Sequence, residues 1–530
     1  MLQFSFTIYT FYGITRQRYE LKTENERVFV EKHYLCGMKS PKRILRQRKM
    51  PIWLALIPMA VLVAMLALVI KVFGADAIEG GSQISLLIAS SVAALLAITA
   101  CHTKWSALEN AIIDNVRTSA SAIIILLLIG AIAGTWMFSG VVPTLMYYGL
   151  HIIHPKVFLA VACLICAVVA VVTGSSWTTI ATIGVALMGV GEAQGFSEGW
   201  IAGAIISGAY FGDKISALSD TTVLASSTAR VSLFDHIKYM SITTVPSFII
   251  ALVVFVAVSV MHTTDNSTHM DEIANVLSNS FNISPWLLLV PAITMALIAK
   301  RLPALVTLFI SVVLASVAMV VMQPDIIASI AGDTDFPIFK TVMTVCSTDA
   351  SIDTGNQTIN ELIATSGMQG MLNTVWLVLC AMCFGGVMAG SGMLAAITHL
   401  FAKFVYRTTS IVASTLGVGL LSNLLTADQY VSIIITGDTF RGLYEKRGLE
   451  GRLLSRSVED TATITSVLIP WNSCGMTQST VLGVATITYL PYCIFNLVSP
   501  FVSLFVAMIG YKIYRKPENS DTIEDAEVKA

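Results

Sequence analysis

The 530-residue sequence predicts an all-α polytopic membrane protein of two inverted repeats, each holding a re-entrant hairpin and a broken transmembrane helix. Three observations carry this. Apolar residues make up 55% of the chain and charged residues only 12%, against about 25% charged in soluble proteins. The apolar residues fall in blocks near the ~20 residues that cross ~30 Å of hydrocarbon. Two further apolar stretches are each broken in the middle by polar residues, and the spacing that follows each break is nearly the same.

Residues 1–50 hold eleven Lys or Arg and four Glu, with no apolar run long enough for a signal-peptide core before Pro51. They read as a basic cytoplasmic arm, in which residues 1–37 form an upstream extension with no folded role and the basic run from Met38 to Lys49 precedes the first span. Spanning blocks run from Ile52 to Ile70, Ile84 to Ala100, Ser119 to Met137, Met240 to Met261, Leu302 to Met322 and Pro491 to Gly510. The period-2 alternation of a membrane barrel is absent, so the spans are helices.

Short loops rich in Lys and Arg stay in the cytoplasm. His102 with Lys104, Lys300 with Arg301, Lys403, Arg407, the group from Arg441 to Arg456, and Lys512 to Lys516 are therefore inside. The loops His262–Ser284 and Gln323–Leu372 are expected outside, the second with Lys340 as its one basic residue against six acidic ones. Net charge is −1, which offers nothing to nucleic acid. Cys163 with Cys166 and Cys380 with Cys383 form CxxC pairs among aliphatics and read as packing residues rather than a metal or redox site.

The stretches Val157–Val190 and Ser410–Phe440 do not fit as simple spans. The first is broken by Thr173-Gly174-Ser175-Ser176-Trp177-Thr178-Thr179, the second by Ser422-Asn423-Leu424-Leu425-Thr426-Ala427-Asp428. Because Arg407 and Arg441 flank the second on one side, the chain must enter and return there. The first opens on the opposite face if Val141–His154 is interfacial. Each hairpin precedes an apolar segment with its own break: Gly212-Asp213-Lys214 through Ser219-Asp220-Thr221-Thr222 in one, Glu459-Asp460-Thr461 and then Pro470-Trp471-Asn472-Ser473-Cys474-Gly475 in the other.

Thr173 to Asp220 covers 47 positions and Thr426 to Asn472 covers 46. Matched broken helices of opposite entry are a transporter signature, because a dehydrated cation at the midplane needs oxygen ligands from unwound backbone, Ser, Thr, Asn and Asp. A Ser or Thr there can instead simply bond its own backbone. The buried acids are less easily set aside: each costs roughly 2.5 kcal/mol or more at the bilayer centre. Asp213, Asp220, Asp428 and Asp460 are therefore functional candidates. Lys214 is either an ion-pair partner that relieves burial or a charge displaced by the ion. Asp114, Asp438 and Glu459 are expected in solvent near cytoplasmic ends, and seven of the eight histidines read as helix-end or loop residues.

At these segments the sequence resembles the NhaC family of sodium/proton antiporters. The resemblance rests on residues 173–179, 184–191, 202–208, 425–430 and 468–475, and above all on Phe211-Gly212-Asp213-Lys214-Ile215-Ser216-Ala217-Leu218-Ser219-Asp220-Thr221-Thr222. It spans roughly residues 50–515, and the family typically has Pro where Ala217 stands. The resemblance implies an ion-transporter superfamily fold: a scaffold (residues 51–155 and 237–408) and a mobile transport domain (156–236 and 409–490), followed by a final span (491–514) and an acidic tail (515–530), in a homodimer of the bacterial inner membrane with both termini cytoplasmic.

On this reading the protein is no enzyme and needs no cofactor beyond the transported Na+ and H+. Asp213, Asp220 and Asp428, with Ser176, Ser219, Thr426 and Asn472, are expected to hold either sodium or a proton, with Thr221 and Asp460 as further cation ligands. A second hypothesis couples sodium to a small organic acid (malate or lactate) or an amino acid bound by Ser175, Lys214, Asn423 and Ser473.

Overall fold

The computed structural model describes residues 6–11, 14–23, 26–35, 50–73, 80–262, 267–300, 302–403 and 407–514. The chain divides into two units, Met1–Lys49 and Met50–Ala530. In the first, the strands β1 (Phe6–Phe11), β2 (Ile14–Thr23) and β3 (Glu26–Leu35) pair as an antiparallel meander, with Phe6 opposite Tyr19 and Ile14 opposite Leu35. Within the stretch read as an extension without a folded role, residues 6–11, 14–23 and 26–35 are therefore paired strands. The basic run of residues 36–49, Arg301 and the acidic tail of residues 515–530 lie outside the described residues.

The second unit is helical, as expected. Its first helices are α1 (Ile52–Phe73), α2 (Gly81–Cys101), α3 (Trp105–Phe138) and α4 (Val141–Ile152). Next come α5 (Phe158–Thr173), α6 (Ser176–Thr179), a π-helical turn Ile180–Gly184, α7 (Val185–Ala193), α8 (Glu198–Ile215), α9 (Asp220–Thr228) and α10 (Leu233–Met261). The middle holds α11 (Ser267–Ser280), α12 (Leu289–Ala299), α13 (Ala304–Met322), α14 (Pro324–Ala331), α15 (Pro337–Ser347), α16 (Gln357–Ile363), α17 (Gly367–Gly370), α18 (Leu372–Gly390) and α19 (Met393–Lys403). The last part is α20 (Thr408–Thr426), α21 (Gln429–Lys446), α22 (Gly451–Val458), a π-helical turn Glu459–Thr463, α23 (Ser473–Leu482), α24 (Thr486–Tyr489) and α25 (Ile494–Ile509). Among the described residues eight helices are long and apolar enough to cross a bilayer, or up to ten if two bent pairs each count as one span.

Both interrupted stretches are hairpins. Phe158, at the start of α5, packs on Phe196 beyond the end of α7 with ring centroids 5.4 Å apart. Thr415 of α20 shares a 3.1 Å hydrogen bond with the Tyr444 hydroxyl of α21. In each case the chain turns at its polar centre and comes back antiparallel.

The segments read as long external loops are largely helical instead. In α11 the buried set Ile273, Ala274 and Leu277, continued by Phe281, has helical spacing and docks one apolar face, and in α14 Ile326 and Ile327 do the same. Gln323 ties these pieces together: its amide donates to the carbonyls of Ser139 (3.3 Å) and Asn282 (3.1 Å) and accepts from the Asn282 N–H (3.0 Å).

The packing of α5 along α8 positions the first site, and it depends on glycine. A Cβ on Gly208 would lie 2.0 Å from the Cys163 carbonyl oxygen, and one on Gly212 would lie 2.2 Å from that of Ala167. Gly442, in the interior of α21, has nothing within 4 Å of an added Cβ. Gly208→Ala must therefore push two backbones apart, whereas Gly442→Ala stiffens the unfolded chain and gains about 0.4–1 kcal/mol. Thermal unfolding in detergent is expected to show a lower Tm for the first and an equal or higher one for the second.

Candidate functional site

At the first tip α5 ends on Thr173, and Gly174 reverses the chain at φ 67°, where a Cβ would meet Leu218 at 2.6 Å. The Ser175 hydroxyl caps α6 by accepting from the Thr178 N–H at 3.2 Å. The Thr173 hydroxyl ties the turn together through the Ser175 carbonyl (3.3 Å) and the Thr179 hydroxyl (3.2 Å). Asp213, in the last turn of α8 and only 5% exposed, accepts through Oδ2 from the Ser176 N–H (3.1 Å) and hydroxyl (2.7 Å). Ser219, which also reaches Asp213, caps α9 through the Thr222 N–H (3.4 Å) and shares a 2.9 Å bond with the Thr221 hydroxyl. Asp220 opens α9 and is exposed.

The second tip repeats this wiring. Thr426 bonds the Asp428 carbonyl (3.1 Å) and the Ser432 hydroxyl (3.0 Å), as Thr173 bonds Ser175 and Thr179. Ala427 takes the left-handed place of Gly174 at φ 57°. Asp428 takes the place of Ser175 and caps α21 by accepting from the Val431 N–H at 2.9 Å. Asn472 caps α23 through the Cys474 N–H (3.1 Å), as Ser219 caps α9. Every such pair is 253 positions apart, so the partner of Asn472 is Ser219 rather than Asp220, and both tip-to-cap distances are 46.

The same offset sets Asp213 and Ser176 against Ser466 and Gln429, joined by a 2.9 Å bond from the Ser466 hydroxyl to Gln429 Oε1. Where the first half places a carboxylate, the second has neutral groups. Its own carboxylate, Asp428, stands at the tip. Nothing in either local sequence marked Gln429 and Ser466; the 253-residue offset would have found them.

Asn423 donates to the Ala462 carbonyl (2.8 Å) and the Thr465 hydroxyl (3.0 Å), and Asn472 donates to the Asn423 carbonyl (3.2 Å). The Ser473 N–H donates to the Ala427 carbonyl at 2.8 Å, fastening tip to break. Beyond the second tip, α21 packs against α9, so the two halves meet beside the break that holds Asp220. Among the described residues no three His, Cys, Asp or Glu side chains converge to hold a metal ion. Asp213, Asp220 and Asp428 stand on three separate segments, the end of α8, the start of α9 and the turn before α21.

The profile of the Na+/H+ antiporter family matches residues 6–229 and 208–511. The chain belongs to the Na+/H+ antiporter family. It is 33% identical to the Na(+)/H(+) antiporter NhaC of Bacillus subtilis over 76% of this chain and 87% of that protein. It is 34% identical to the Malate-2H(+)/Na(+)-lactate antiporter of the same organism over 83% of this chain and 91% of the relative. It is likewise 34% identical to the arginine/ornithine antiporter ArcD of Halobacterium salinarum, over 90% and 96%.

In this member of the Na+/H+ antiporter family several of the remaining charges form a buried group that adjoins Asp213. Lys214 pairs with Asp460, both fully buried, so Lys214 does not face the hairpin tips as a free cation. Asp460 also accepts from the Thr243 hydroxyl (3.1 and 3.0 Å) and lies 3.9 Å from Arg456 Nε. Arg456 is fully buried, with its guanidinium 4.9 Å from the Tyr239 ring, and His236 Nδ1 is 2.8 Å from the Ser455 hydroxyl. Glu459, expected in solvent, is fully buried near Lys214, Asp213 and Asp460, because the turn it opens is packed under α20 and α22. Asp438 and Asp114 are exposed, as expected, and Asp438 pairs with Arg441 at 2.9 Å. The two CxxC pairs are free thiols within α5 and α18.

Proposed function

We propose that this multi-pass membrane protein is a secondary active antiporter of the bacterial inner membrane, exchanging Na+ for H+ at Asp213 and Asp428. The observation that carries this is the setting of those two carboxylates. Each is at least 95% buried, and each accepts from a backbone N–H in the first turn of a helix, Ser176 of α6 for Asp213 and Val431 of α21 for Asp428. Helix N-termini favour a negative charge, which prepares the group as a cation ligand. Hydroxyls of Ser176, Ser219, Thr221 and Ser473 supply further oxygens, while Thr426, Asn423 and Asn472 hold the tip and break in shape. A buried carboxylate is also the group that holds a proton when no ion is bound, so competition for one site yields exchange without a second gate.

In this reading residues 156–236 and 409–490 form the moving unit, the remaining spans form the scaffold of a homodimer, the repeats are inverted, and both termini are cytoplasmic. The organic-substrate alternative draws on the names of two relatives. It is weaker here, because Lys214, the anchor expected for a carboxylate, is committed to Asp460.

Everted vesicles bearing the protein are expected to dissipate an imposed pH gradient on addition of Na+. Proteoliposomes are expected to show no Na+-gradient-dependent uptake of radiolabelled malate, lactate or arginine. Organic uptake without sodium-dependent proton movement would reverse the order of the two readings.

A further inference from the structure

The two carboxylates differ in what surrounds them. The bonds to Asp213 Oδ2 come from Ser176, and Ser219 completes them, so the whole arrangement lies within one hairpin and its following break. Asp428 spends Oδ1 on the cap of α21 and turns Oδ2 outward to α3, where the Ser119 hydroxyl lies 3.4 Å away. Ser119 is 3% exposed and also touches Met382 Sδ of α18 at 3.1 Å. The close approach of α18 is built in: a Cβ on Gly385 would lie 2.4 Å from the Thr426 carbonyl oxygen and 3.0 Å from the Asn115 amide of α3. Thus α3, outside both hairpins, is held against the second tip by a glycine.

The spacing has a chemical meaning. A hydroxyl donating to a carboxylate normally stands at about 2.5–2.7 Å, well inside 3.4 Å. Two oxygens that share a hard cation at about 2.4 Å are about 3.4 Å apart when they subtend a right angle, as on an octahedral edge. The Ser473 hydroxyl is also within hydrogen-bonding reach of the Asp428 carboxylate and adds a third oxygen.

We propose that Ser119 is a cation ligand: Na+ binds between Asp428 Oδ2, Ser473 Oγ and Ser119 Oγ, at a site shared between the second hairpin and α3. This rests on the antiport reading above. The ion at Asp213 travels with its own hairpin, whereas the ion at Asp428 loses a ligand whenever the hairpin moves relative to α3. Occupancy of the second site is then tied to the position of the hairpin.

The test compares Na+ concentration curves for proton movement in everted vesicles carrying the wild type, Ser119→Ala and Ser119→Thr at matched expression. Ser119→Ala is expected to raise the KM for Na+ about 5- to 10-fold with Vmax within about twofold, and Ser119→Thr, which keeps the hydroxyl, to restore most of the affinity. Equal Tm values in detergent for the three proteins establish that folding is not what changed. An unchanged KM in Ser119→Ala, a loss confined to Vmax, or a threonine variant as weak as alanine overturns the assignment of Ser119. A wild type without any sodium-dependent proton movement instead overturns the antiport reading, so the two failures are distinct.

Discussion

Asp213→Asn is expected to abolish sodium-driven proton movement while leaving a folded protein. Asparagine has the shape of aspartate and keeps an oxygen to accept from the Ser176 N–H and hydroxyl, so the tie between the first tip and the end of α8 survives. What disappears is the charge. At about 4 Å and an effective dielectric constant near 20, a unit charge attracts a cation by about 4 kcal/mol, roughly a thousandfold in affinity. Asp428→Asn is expected to behave alike, since Asn is as good a helix cap as Asp and still serves the Val431 N–H. Collapse of the pH-gradient response to Na+ in everted vesicles, at wild-type expression and Tm, is the expected result for both. Normal KM and Vmax for Na+ in Asp213→Asn would remove that residue from the site.

Breaking the Lys214–Asp460 pair is expected to damage stability rather than ion selectivity. Removing one partner of a buried ion pair leaves an uncompensated charge and costs roughly 3–5 kcal/mol. The two halves are not equivalent. Lys214→Met leaves Asp460 with the Thr243 hydroxyl and with Arg456 at 3.9 Å. Asp460→Leu leaves both Lys214 and Arg456 facing an apolar group. The aspartate variant is therefore expected to show the larger fall in Tm and in membrane expression. The double variant Lys214→Met with Asp460→Leu is expected to recover part of the loss, because an apolar pair can replace a buried ion pair at little cost. If Lys214→Met keeps its Tm but loses sodium affinity, Lys214 belongs to the ion site after all.

The residues of the tips were readable because their chemistry is local. Thr173, Ser175 and Thr179, or Thr426, Asp428 and Ser432, bond one another across two to six positions. A run of Gly, Ser, Thr and Asp inside an apolar stretch thus announces a turn with its own caps. The pairing of Lys214 with Asp460 spans 246 positions and that of Ser119 with Asp428 spans 309. No local pattern encodes contacts of that range. Glu459 was misplaced for a related reason: nearness in sequence to Arg456 and Arg452 suggested a wet helix end, while the packing of α20 and α22 closes over it.

By itself the sequence determined the membrane environment, the helical spans, the positions of the two hairpins and breaks, and the aspartates within them. Each of these follows from apolar run length, from the cost of a charge in hydrocarbon, or from short-range capping. Only the tertiary structure decided what those acids meet. It assigned Asp460 to Lys214, gave Asp213 and Asp428 different neighbours, turned expected loops into docked helices, and aligned the two halves at one constant offset. Those outcomes depend on which helix faces press together, a property of the whole packed bundle that side-chain type at a single position does not carry.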